Sequence, residues 1–315
     1  MKTSVIIATY NGSKFIEEQF DSILAQSVQP DEVVITDDGS KDNTREIVQR
    51  YIDEHGLNGA WHLYVNKKNK GYAKNFLDGA MLTTGDIVFF CDQDDIWTPD
   101  RIKKMSEVMT ENPRINLLCS NLEPFYYEED TCKWSEKDLE VMKTDNSLEK
   151  CELTSTYFHL QRSGCTMCIR KTFLEEIMPY WTANWPHDDF VWKMAVVSSS
   201  CAILHFVSMR RRMHSNNATV IRVRTRDWRI KQLHEYQMQY TELKKYAENG
   251  TLTNEKMKII QHNIDSIGIR INVVEKRHLW DWVILYTKYN NCYPRRKGLY
   301  LDLYIAVLNK YKGVN

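Results

Sequence analysis

Three carboxylates follow a short apolar segment of this sequence. The segment Ile87–Cys91 reads IVFFC, and Asp92, Asp94 and Asp95 come directly after it. Two carboxylates two positions apart at a strand end can point oxygens into one cleft, and hard oxygen ligands select Mg²⁺ or Mn²⁺. We therefore expect a divalent-cation site here. The alternative is a solvated acidic turn in which Asp95 caps the next helix.

A cation held in this way leaves coordination positions open for phosphate oxygens, so it can stabilise a diphosphate as a leaving group. The sequence has no GxxxxGK[ST] motif and no GxGxxG after its first apolar run, which argues against a P-loop and a dinucleotide fingerprint. With these two phosphate-binding motifs absent, the remaining candidate ligand is a nucleoside diphosphate that is bound through the metal.

A second cluster, His187-Asp188-Asp189, lies in the segment NWPHDDFVWKM. A carboxylate there could accept a proton from a hydroxyl as a general base. The alternative is that Asp188 or Asp189 caps a helix that begins at Phe190. His214, in RRRMHSNN, is either a ligand or a structural side chain, and Arg210 to Arg212 fit anionic phosphates or a solvated edge.

The elements that must position these residues follow from hydrophobic periodicity. Apolar runs that end in polar turns alternate with segments whose apolar residues recur at helical spacing. The predicted strands are SVIIAT, EVVIT, WHLYV and IVFFC, and the predicted helices are KFIEEQFDSIL, DNTREIVQRYI, one from about Lys74 and one with Thr98 as N-cap and Pro99 first. This alternation predicts a largely parallel, doubly wound sheet, whose ligands bind outside the carboxyl ends of the strands.

After about residue 115 the alternation weakens. INLLCSN, GCTMCIRK and CAILHFVSMRRRMH are predicted strands, and the polar stretch Glu123–Glu152 is predicted to be irregular. From about Arg222 the periodicity is helical, with a break at Gly250.

Composition limits the kinds of partner. The 315 residues include 42 Lys or Arg and 42 Asp or Glu, so the net charge gives no reason to expect nucleic acid. Eight scattered cysteines favour a reducing cytoplasm, and the single CxxC of Cys165 and Cys168 leaves a structural role and a redox or zinc role open. Because no signal peptide or membrane span is visible, we expect a soluble protein or one attached to a membrane surface.

The motifs SVIIATYNG, EVVITDDGSKDNT, GYAKNF, FFCDQDDIW and HDD occur in this order, each at a predicted strand end. In these motifs residues 1 to about 220 resemble family 2 glycosyltransferases of the GT-A fold. The resemblance implies an α/β fold with a Rossmann-like, doubly wound mixed sheet and a C-terminal helical extension. It also implies an inverting enzyme that moves a sugar from a nucleotide-sugar donor to a glycan hydroxyl, with Mn²⁺ or Mg²⁺ on the diphosphate.

The resemblance also assigns roles to individual residues. Asp94 corresponds to the metal-binding end of the D-x-D motif, Asp92 would lie near the ribose and the metal, and His214 matches a histidine near the metal and the diphosphate. Asp188 matches the catalytic base, with Asp189 as its rival. The nucleotide-binding residues implied are Thr9, Tyr10, Asn11, Asp38, Gly71, Asn75 and Asp92.

The implied domain division is a GT-A catalytic domain at 1–221, with a nucleotide-sugar half at about 1–115 and an acceptor half at about 116–221, and a helical region at 222–315. The QxxRW motif of processive members is absent, so we expect one sugar to be added per encounter. CDQDDIW is similar to enzymes that build bacterial capsule, O-antigen or cell-wall polysaccharide, some of which are rhamnosyltransferases. UDP-hexoses and dTDP-rhamnose are therefore both candidate donors.

The segment from Leu279 onwards, LWDWVILYTKYNNCYPRRKGLYLDLYIAVLNKYKG, mixes aromatic and aliphatic residues with Lys and Arg. Such a stretch can lie on an anionic membrane at the inner face of the cell, where a lipid-linked acceptor would be found. Packing on the catalytic domain, or on a second subunit in a homodimer, explains it equally well.

Two other functions compete with glycosyl transfer. An inactive sugar-nucleotide-binding scaffold would have little reason to keep Asp94 and the His187-Asp188 pair. A nucleotidyltransferase would carry a Gly-rich phosphate loop near the first strand, and this sequence has none there.

Overall fold

A computed structural model describes residues 1–127, 144–214, 224–250, 252–308 and 310–311. Its main sheet has nine strands: β1 (Thr3–Thr9), β2 (Glu32–Asp37), β3 (Trp61–Val65), β4 (Ile87–Asp92), β5 (Ile96–Trp97), β6 (Leu117–Tyr126), β7 (Leu148–Cys151), β8 (Met167–Arg170) and β9 (Cys201–Met213). Their order across the sheet is β3-β2-β1-β4-β8-β6-β9-β5, and β7 pairs with another part of β9.

Helices cover both faces of this sheet. They are α1 (Ile16–Leu24), α2 (Thr44–Glu54), α3 (Tyr72–Leu82), α4 (Arg101–Glu111), α5 (Lys171–Ile177) and α6 (His187–Val197). Along β1, Val5 and Ile7 pack with α1, α2 and α4, whereas Ile6 packs with α3, α5 and α6. Because successive side chains of a strand point to opposite faces, a strand covered on both sides must be apolar throughout.

The sheet is mixed, as the predicted fold class requires. β1 pairs in parallel with β2 and β4, and β2 with β3, which agrees with the predicted alternation of strands and helices. β8 then lies antiparallel between β4 and β6, and β9 is parallel to β6. The GT-A-like α/β architecture with C-terminal helices is therefore confirmed.

The prediction that Thr98 caps a helix starting at Pro99 is wrong. The α4 helix begins at Arg101, after Asp100. The Thr98 backbone N–H donates to the Ser208 carbonyl (2.9 Å), and its hydroxyl donates to the Val207 carbonyl (3.3 Å). Thr98 is therefore bound to strand β9 and is not available as a cap.

The stretch Glu123–Glu152 is less irregular than predicted. β6 continues to Tyr126, and β7 pairs with β9 from Leu148 to Cys151. Residues 128–143 of this stretch lie outside the described part of the chain. Both described ends are thus tied into the sheet through β9.

The C-terminal region is helical, with the predicted break at Gly250. Its helices are α7 (Arg226–Asn249), α8 (Asn254–Val274), α9 (Asp281–Lys288) and α10 (Lys297–Leu308), and a short ladder joins β10 (Arg224–Thr225) to β11 (Lys310–Tyr311). None of the described helices is long and apolar enough to span a membrane. The predicted division at residue 221 lies among residues 215–223, outside the described residues, and stays a prediction.

A buried ionic cluster holds the C-terminal helices together. The Asp302 carboxylate, fully buried in α10, accepts hydrogen bonds from Arg229 Nε of α7 (2.7 Å), from Arg270 Nε of α8 (2.7 Å) and from the Tyr293 hydroxyl (2.9 Å). Burial disfavours this charge, but Arg270 and Arg229 outweigh it and hold the pKa of Asp302 below its usual value.

We predict that Asp302→Asn lowers the free energy of unfolding by about 3–5 kcal/mol, because it leaves two buried guanidinium groups without their counter-charge. Urea denaturation measures the loss. The control is Glu242→Gln, which removes an exposed ion pair with Lys245 (2.6 Å) and should change stability by less than about 1 kcal/mol. Equal losses of unfolding free energy in the two variants would contradict a stabilising role of the buried Asp302 cluster.

Candidate active site

The carboxyl ends of β1, β2 and β4 are joined by side-chain hydrogen bonds. At the end of β4, Gln93 Oε1 accepts from the Tyr10 N–H (2.9 Å), and Gln93 Nε2 donates to the Tyr10 carbonyl (3.2 Å). At the end of β2, Asp37 accepts from the Thr9 hydroxyl (3.1 Å) and from the Ser40 hydroxyl. The predicted convergence of these strand ends is therefore present.

Asn11 has a left-handed backbone, with φ of +50°. Its N–H donates to Ser40 Oγ (2.9 Å), and its side-chain oxygen accepts from the Lys41 N–H (2.9 Å). Asparagine tolerates this conformation better than most residues. Thr9 is buried and Tyr10 is exposed, so of the two only Tyr10 presents a side chain to solvent.

Asp38 lies at the same edge but is turned toward the loop before α3. Its carboxylate accepts from the Lys70 N–H (2.8 Å), the Gly71 N–H (2.9 Å) and Asn66 Nδ2 (3.0 Å). Gly71 has φ of +82°, a conformation that disfavours side chains. Asn75 is buried, accepts from Asn66 Nδ2 (2.8 Å) and donates to the Thr36 carbonyl (2.8 Å), so it anchors the same loop.

The acidic cluster at the end of β4 includes a thiol. Asp92, Asp95 and Cys165 each offer one ligand atom, and these atoms lie within 4.8 Å of one another. Burial, and then the Asp94 carboxylate, raises the pKa of Asp92 to about 6. Burial, and then Asp94 and Asp92, raises the pKa of Asp95 well above its usual value. Three carboxylates in so little space disfavour full ionisation.

Strand β9 supplies the positive charge that this cluster requires. The β5–β9 ladder pairs Ile96 with Arg210, so the next residues of β9 run past the acidic turn. The Arg212 N–H donates to Asp95 Oδ1 (3.1 Å), and Arg212 Nε donates to the Asp94 carbonyl (2.9 Å). Burial lowers the pKa of Arg211, but Cys165, Asp92 and Asp95 outweigh it and raise that pKa.

His214 lies beside Asp94, with Nε2 at 2.7 Å from Asp94 Oδ2. Asp94 and His214 are thus in contact, whereas the ligand atom of Asp92 groups with those of Asp95 and Cys165, so the metal-ligand set Asp92, Asp94 and His214 stays a prediction. The nearby Asp95 Oδ2 atom is buried and lacks a hydrogen-bond partner among the described residues. Carboxylate oxygens and an imidazole suit Mn²⁺ or Mg²⁺, so this donor set fits the implied cation.

The cluster His187-Asp188-Asp189 forms the first turn of α6. The helix begins at His187 after Pro186, so the alternative of a cap for a helix starting at Phe190 is wrong. Asp189 accepts from Trp185 Nε1 (2.9 Å) and forms an ion pair with buried Lys193. Asp188 uses Oδ1 to accept from the Asp189 N–H (2.9 Å), and its Oδ2 has no hydrogen bond among the described residues.

The sequence did not indicate several side chains around Asp188. His187 is buried and stacks on Phe76, with ring centroids 4.3 Å apart, and burial lowers the pKa of its imidazole. Tyr72 at the start of α3 is 53% exposed. Desolvation, and then the Asp188 and Asp189 carboxylates, raise the pKa of Tyr72 to about 12. The position directly after the turn glycine Gly71, at the start of a predicted helix, is the signal that could have identified Tyr72.

Two further residues connect distant elements to the site. Buried Arg101 of α4 donates to the Cys165 carbonyl (2.6 Å), and its guanidinium lies 4.0 Å from the centroid of the Trp97 ring. Burial raises the pKa of Tyr236 in α7, and Asp189 and Asp302 add to the rise against Arg229 and Arg270. Helix α7 of the C-terminal region therefore lies near Asp189.

The CxxC cysteines lie in the protein interior. Both are buried, and burial raises the pKa of each thiol. Cys168 belongs to β8, and Cys165 precedes it in a short 3₁₀ turn at Gly164–Thr166. Only Cys165 faces the acidic cluster.

The mixed sheet with an acidic turn at the carboxyl edge of its strands is the architecture of a GT-A glycosyltransferase. The family model described as "Glycosyl transferase family 2" matches residues 4–177. The chain belongs to this family, which confirms the predicted family and the predicted class of enzyme.

Curated relatives in the family share part of the chain. A glycosyltransferase of Nostoc, alr2836, is 26% identical over 190 residues, which are 59% of this chain and 56% of the relative. The chain thus spans just over half of that relative's length. The dTDP-rhamnosyl transferase RfbG of Shigella flexneri is 30% identical over 222 residues, 67% of this chain and 72% of the relative.

Two solved structures share the fold. That of S. aureus TarS 1-349 in complex with UDP has a TM-score of 0.65 at 18% identity and covers 98% of this chain and 89% of its own. The mannosyltransferase PcManGT of Pyrobaculum calidifontis, in complex with GDP-Man and Mn²⁺, has a TM-score of 0.58 at 16% identity and covers 98% and 87%. At these identities the likeness concerns the fold alone.

We predict that Gly164→Ala displaces the start of α6 and lowers acceptor-dependent nucleoside-diphosphate release about 100-fold. A Cβ at Gly164 would lie 2.5 Å from His187 Nε2 and 3.1 Å from Asp188 Cβ, and a misplacement of about 1 Å at a reacting group can have an effect of this size. The control is Gly268→Ala inside α8, where a Cβ meets nothing within 4 Å. The control should keep full activity and gain up to about 1 kcal/mol of stability. If Gly164→Ala kept wild-type turnover, the conclusion that the site requires glycine at position 164 would be wrong.

Proposed function

We propose that the protein transfers one sugar per encounter from a nucleoside-diphosphate donor, a UDP-hexose or dTDP-rhamnose, to a hydroxyl of a glycan acceptor, with inversion at the anomeric carbon. The pathway would be bacterial capsule, O-antigen or cell-wall polysaccharide synthesis. The observation that carries the proposal is that Asp188 Oδ2, in the same acidic neighbourhood as Asp92, has no hydrogen bond among the described residues. Family membership and the similarity to RfbG support the donor class.

In this reaction Asp188 is the general base. Its carboxylate accepts the proton of the acceptor hydroxyl while that oxygen bonds to the anomeric carbon, and the bond from this carbon to the diphosphate oxygen breaks. Asp189 is the weaker candidate, because Trp185 and Lys193 already occupy its oxygens. The choice between the two thus rests on which carboxylate is available to substrate.

The nucleotide would bind at the ends of β1 and β2. Thr9, Tyr10 and Asn11 would line its pocket, with Asp92 at the ribose. Asp38 and Asn75 hold the loop that carries Gly71, so their contribution in this proposal is to position that loop over the nucleotide.

Asp92, Asp94 and His214 would hold Mn²⁺ or Mg²⁺. The cation would supply positive charge to the diphosphate as it leaves. The unpartnered oxygen of Asp95 and the raised pKa of Asp92 support this assignment, because a buried acidic cluster is stabilised by a cation.

The acceptor glycan would be carried on a lipid at the cytoplasmic face of the cell membrane. The support is the C-terminal region, where α9 and α10 expose large apolar side chains. A homodimer formed through the same region is the competing interpretation.

We predict that Asp188→Asn lowers acceptor-dependent release of nucleoside diphosphate by about 10²–10⁴-fold, the usual contribution of a general base. The assay screens nucleotide sugars with Mn²⁺, with and without candidate acceptor glycans. Nucleoside-diphosphate affinity, measured by calorimetry, should stay unchanged. The matched control Asp189→Asn should lower stability more than Asp188→Asn, since it leaves buried Lys193 without its partner.

The base assignment is wrong if wild type and Asp188→Asn release the same amount with acceptor present. A protein that binds nucleotide sugars but turns over none of them with any acceptor would instead favour the scaffold function.

We predict that Mn²⁺ raises the thermal midpoint of the wild type and not that of Asp94→Asn. The stabilisation should weaken as pH falls through about 6, because below its pKa of about 6 Asp92 binds a proton that competes with the cation. Scanning calorimetry with and without EDTA at pH 5 and pH 7.5 measures both effects. An equal Mn²⁺ shift in Asp94→Asn, or at both pH values, would count against this ligand set.

A further inference from the structure

Two adjacent helices of the C-terminal region expose one continuous apolar surface. On α9 and the turn before it, Leu279, Val283 and Tyr286 follow the i, i+4, i+7 spacing of a single helical face, and all three are exposed. Trp280, next to them, is 83% exposed. We call this surface the aromatic face, and it includes Tyr300 of α10.

The two helices are locked to each other, so the aromatic face has a fixed shape. Trp282 Nε1 of α9 donates to the Leu299 carbonyl of α10 (3.0 Å). The Trp282 ring lies between Tyr286 and Tyr300, with centroids 5.5 Å and 5.8 Å away. Exposed Trp280, next to this packed group, extends an apolar patch of the kind that marks an interaction site.

Exposed basic residues precede and interrupt the aromatic face along the sequence. Within residues 276–308 the exposed charged side chains are all cationic: Lys276, Arg277, Lys288, Arg295, Arg296 and Lys297. The two carboxylates of this segment are not available to balance them. Asp302 is buried with its arginines, and Asp281 lies 3.5 Å from His278 Nδ1.

This charge pattern separates the two candidate occupants. In a symmetric dimer the same patch meets its own copy, so these cations would face one another, and like charges in contact oppose association. An anionic lipid surface has the complementary charge and accepts the apolar part as well. Tryptophan and tyrosine also favour the boundary between headgroups and acyl chains.

We propose that the aromatic face docks the protein on an anionic phospholipid surface, with Trp280 and its apolar neighbours at the acyl boundary and the basic side chains among the headgroups. The inference deepens the proposed membrane location, and it does not depend on which sugar is transferred. The buried bonds of Asp302 in α10 to Arg229 in α7 connect the docking helices to the helix that carries Tyr236. The docked surface and the acceptor side of the site therefore belong to one packed unit.

The test is co-sedimentation of the full chain with vesicles of phosphatidylglycerol and phosphatidylethanolamine, compared with vesicles of phosphatidylcholine alone. We expect binding to the anionic vesicles, which weakens with salt, and little binding to the neutral ones. Equal binding of the protein to the two vesicle types would contradict a charge-dependent docking surface.

Two variants test the two parts of the surface. Trp280→Ser with Val283→Ser should reduce partition on anionic vesicles at least tenfold, and Met238→Ser, an exposed apolar position on α7, is its control. Arg295→Gln with Arg296→Gln should reduce partition on anionic vesicles roughly 25-fold, since each cation near such a surface contributes about fivefold. The charge-matched control is Lys103→Gln with Arg114→Gln, both exposed at the other end of the chain.

Absence of anionic-vesicle binding by the wild type would overturn the proposal, as would equal losses in the variants and their controls. A concentration-dependent dimer in sedimentation equilibrium that Trp280→Ser with Val283→Ser dissociates would identify the face as a subunit interface and also overturn it. Nucleoside-diphosphate release measured without vesicles should be unchanged in all four variants. A failure of docking is thereby distinguished from a failure of the proposed glycosyl transfer.

Discussion

Like charges crowded at the buried end of β4 are the constraint on which the site depends. Asp92, Asp94 and Asp95 follow a strand with no solvent on either face, and burial raises the pKa of Asp92 and of Asp95. Such a cluster is stable only if positive charge comes from elsewhere in the fold. Strand β9 brings it as Arg211 and Arg212, and it can do so because β5 pairs with β9 directly after the acidic turn.

The direction of β9 brings these residues to the acidic turn. β8 is antiparallel to both β4 and β6, and β9 is parallel to β6, so β9 runs in the same direction as β4. The last residues of the long β9 therefore reach the edge of the sheet at which β4 ends, beside the acidic turn. The same strand accepts the backbone hydrogen bond of Thr98, so α4 begins at Arg101 and not at the predicted Pro99.

Local patterns predicted the part of the fold that local forces determine. The runs around Ile6, Val34 and Phe89 are apolar over their whole length because helices cover both faces, and the polar turns after them identify the strand ends. The closeness of Asp94 to His214, of Gly164 to His187 and of Tyr236 to Asp189 could not be read in this way. Each depends on the register of strands or on the packing of helices far apart in sequence, for which no short-range period exists.

The two adjacent carboxylates of α6 illustrate how far local geometry can go. Successive residues of a helix point about 100° apart, so Asp188 and Asp189 cannot both face the same cleft. Asp189 shares its side of the helix with Lys193, one turn later, and with the indole of Trp185. Asp188 points away from that pair, toward Tyr72 and the end of β4. Two identical side chains thus acquire different environments: both oxygens of Asp189 are bonded inside the protein, whereas one oxygen of Asp188 has no hydrogen bond among the described residues. This difference is the reason for proposing Asp188, and not Asp189, as the base.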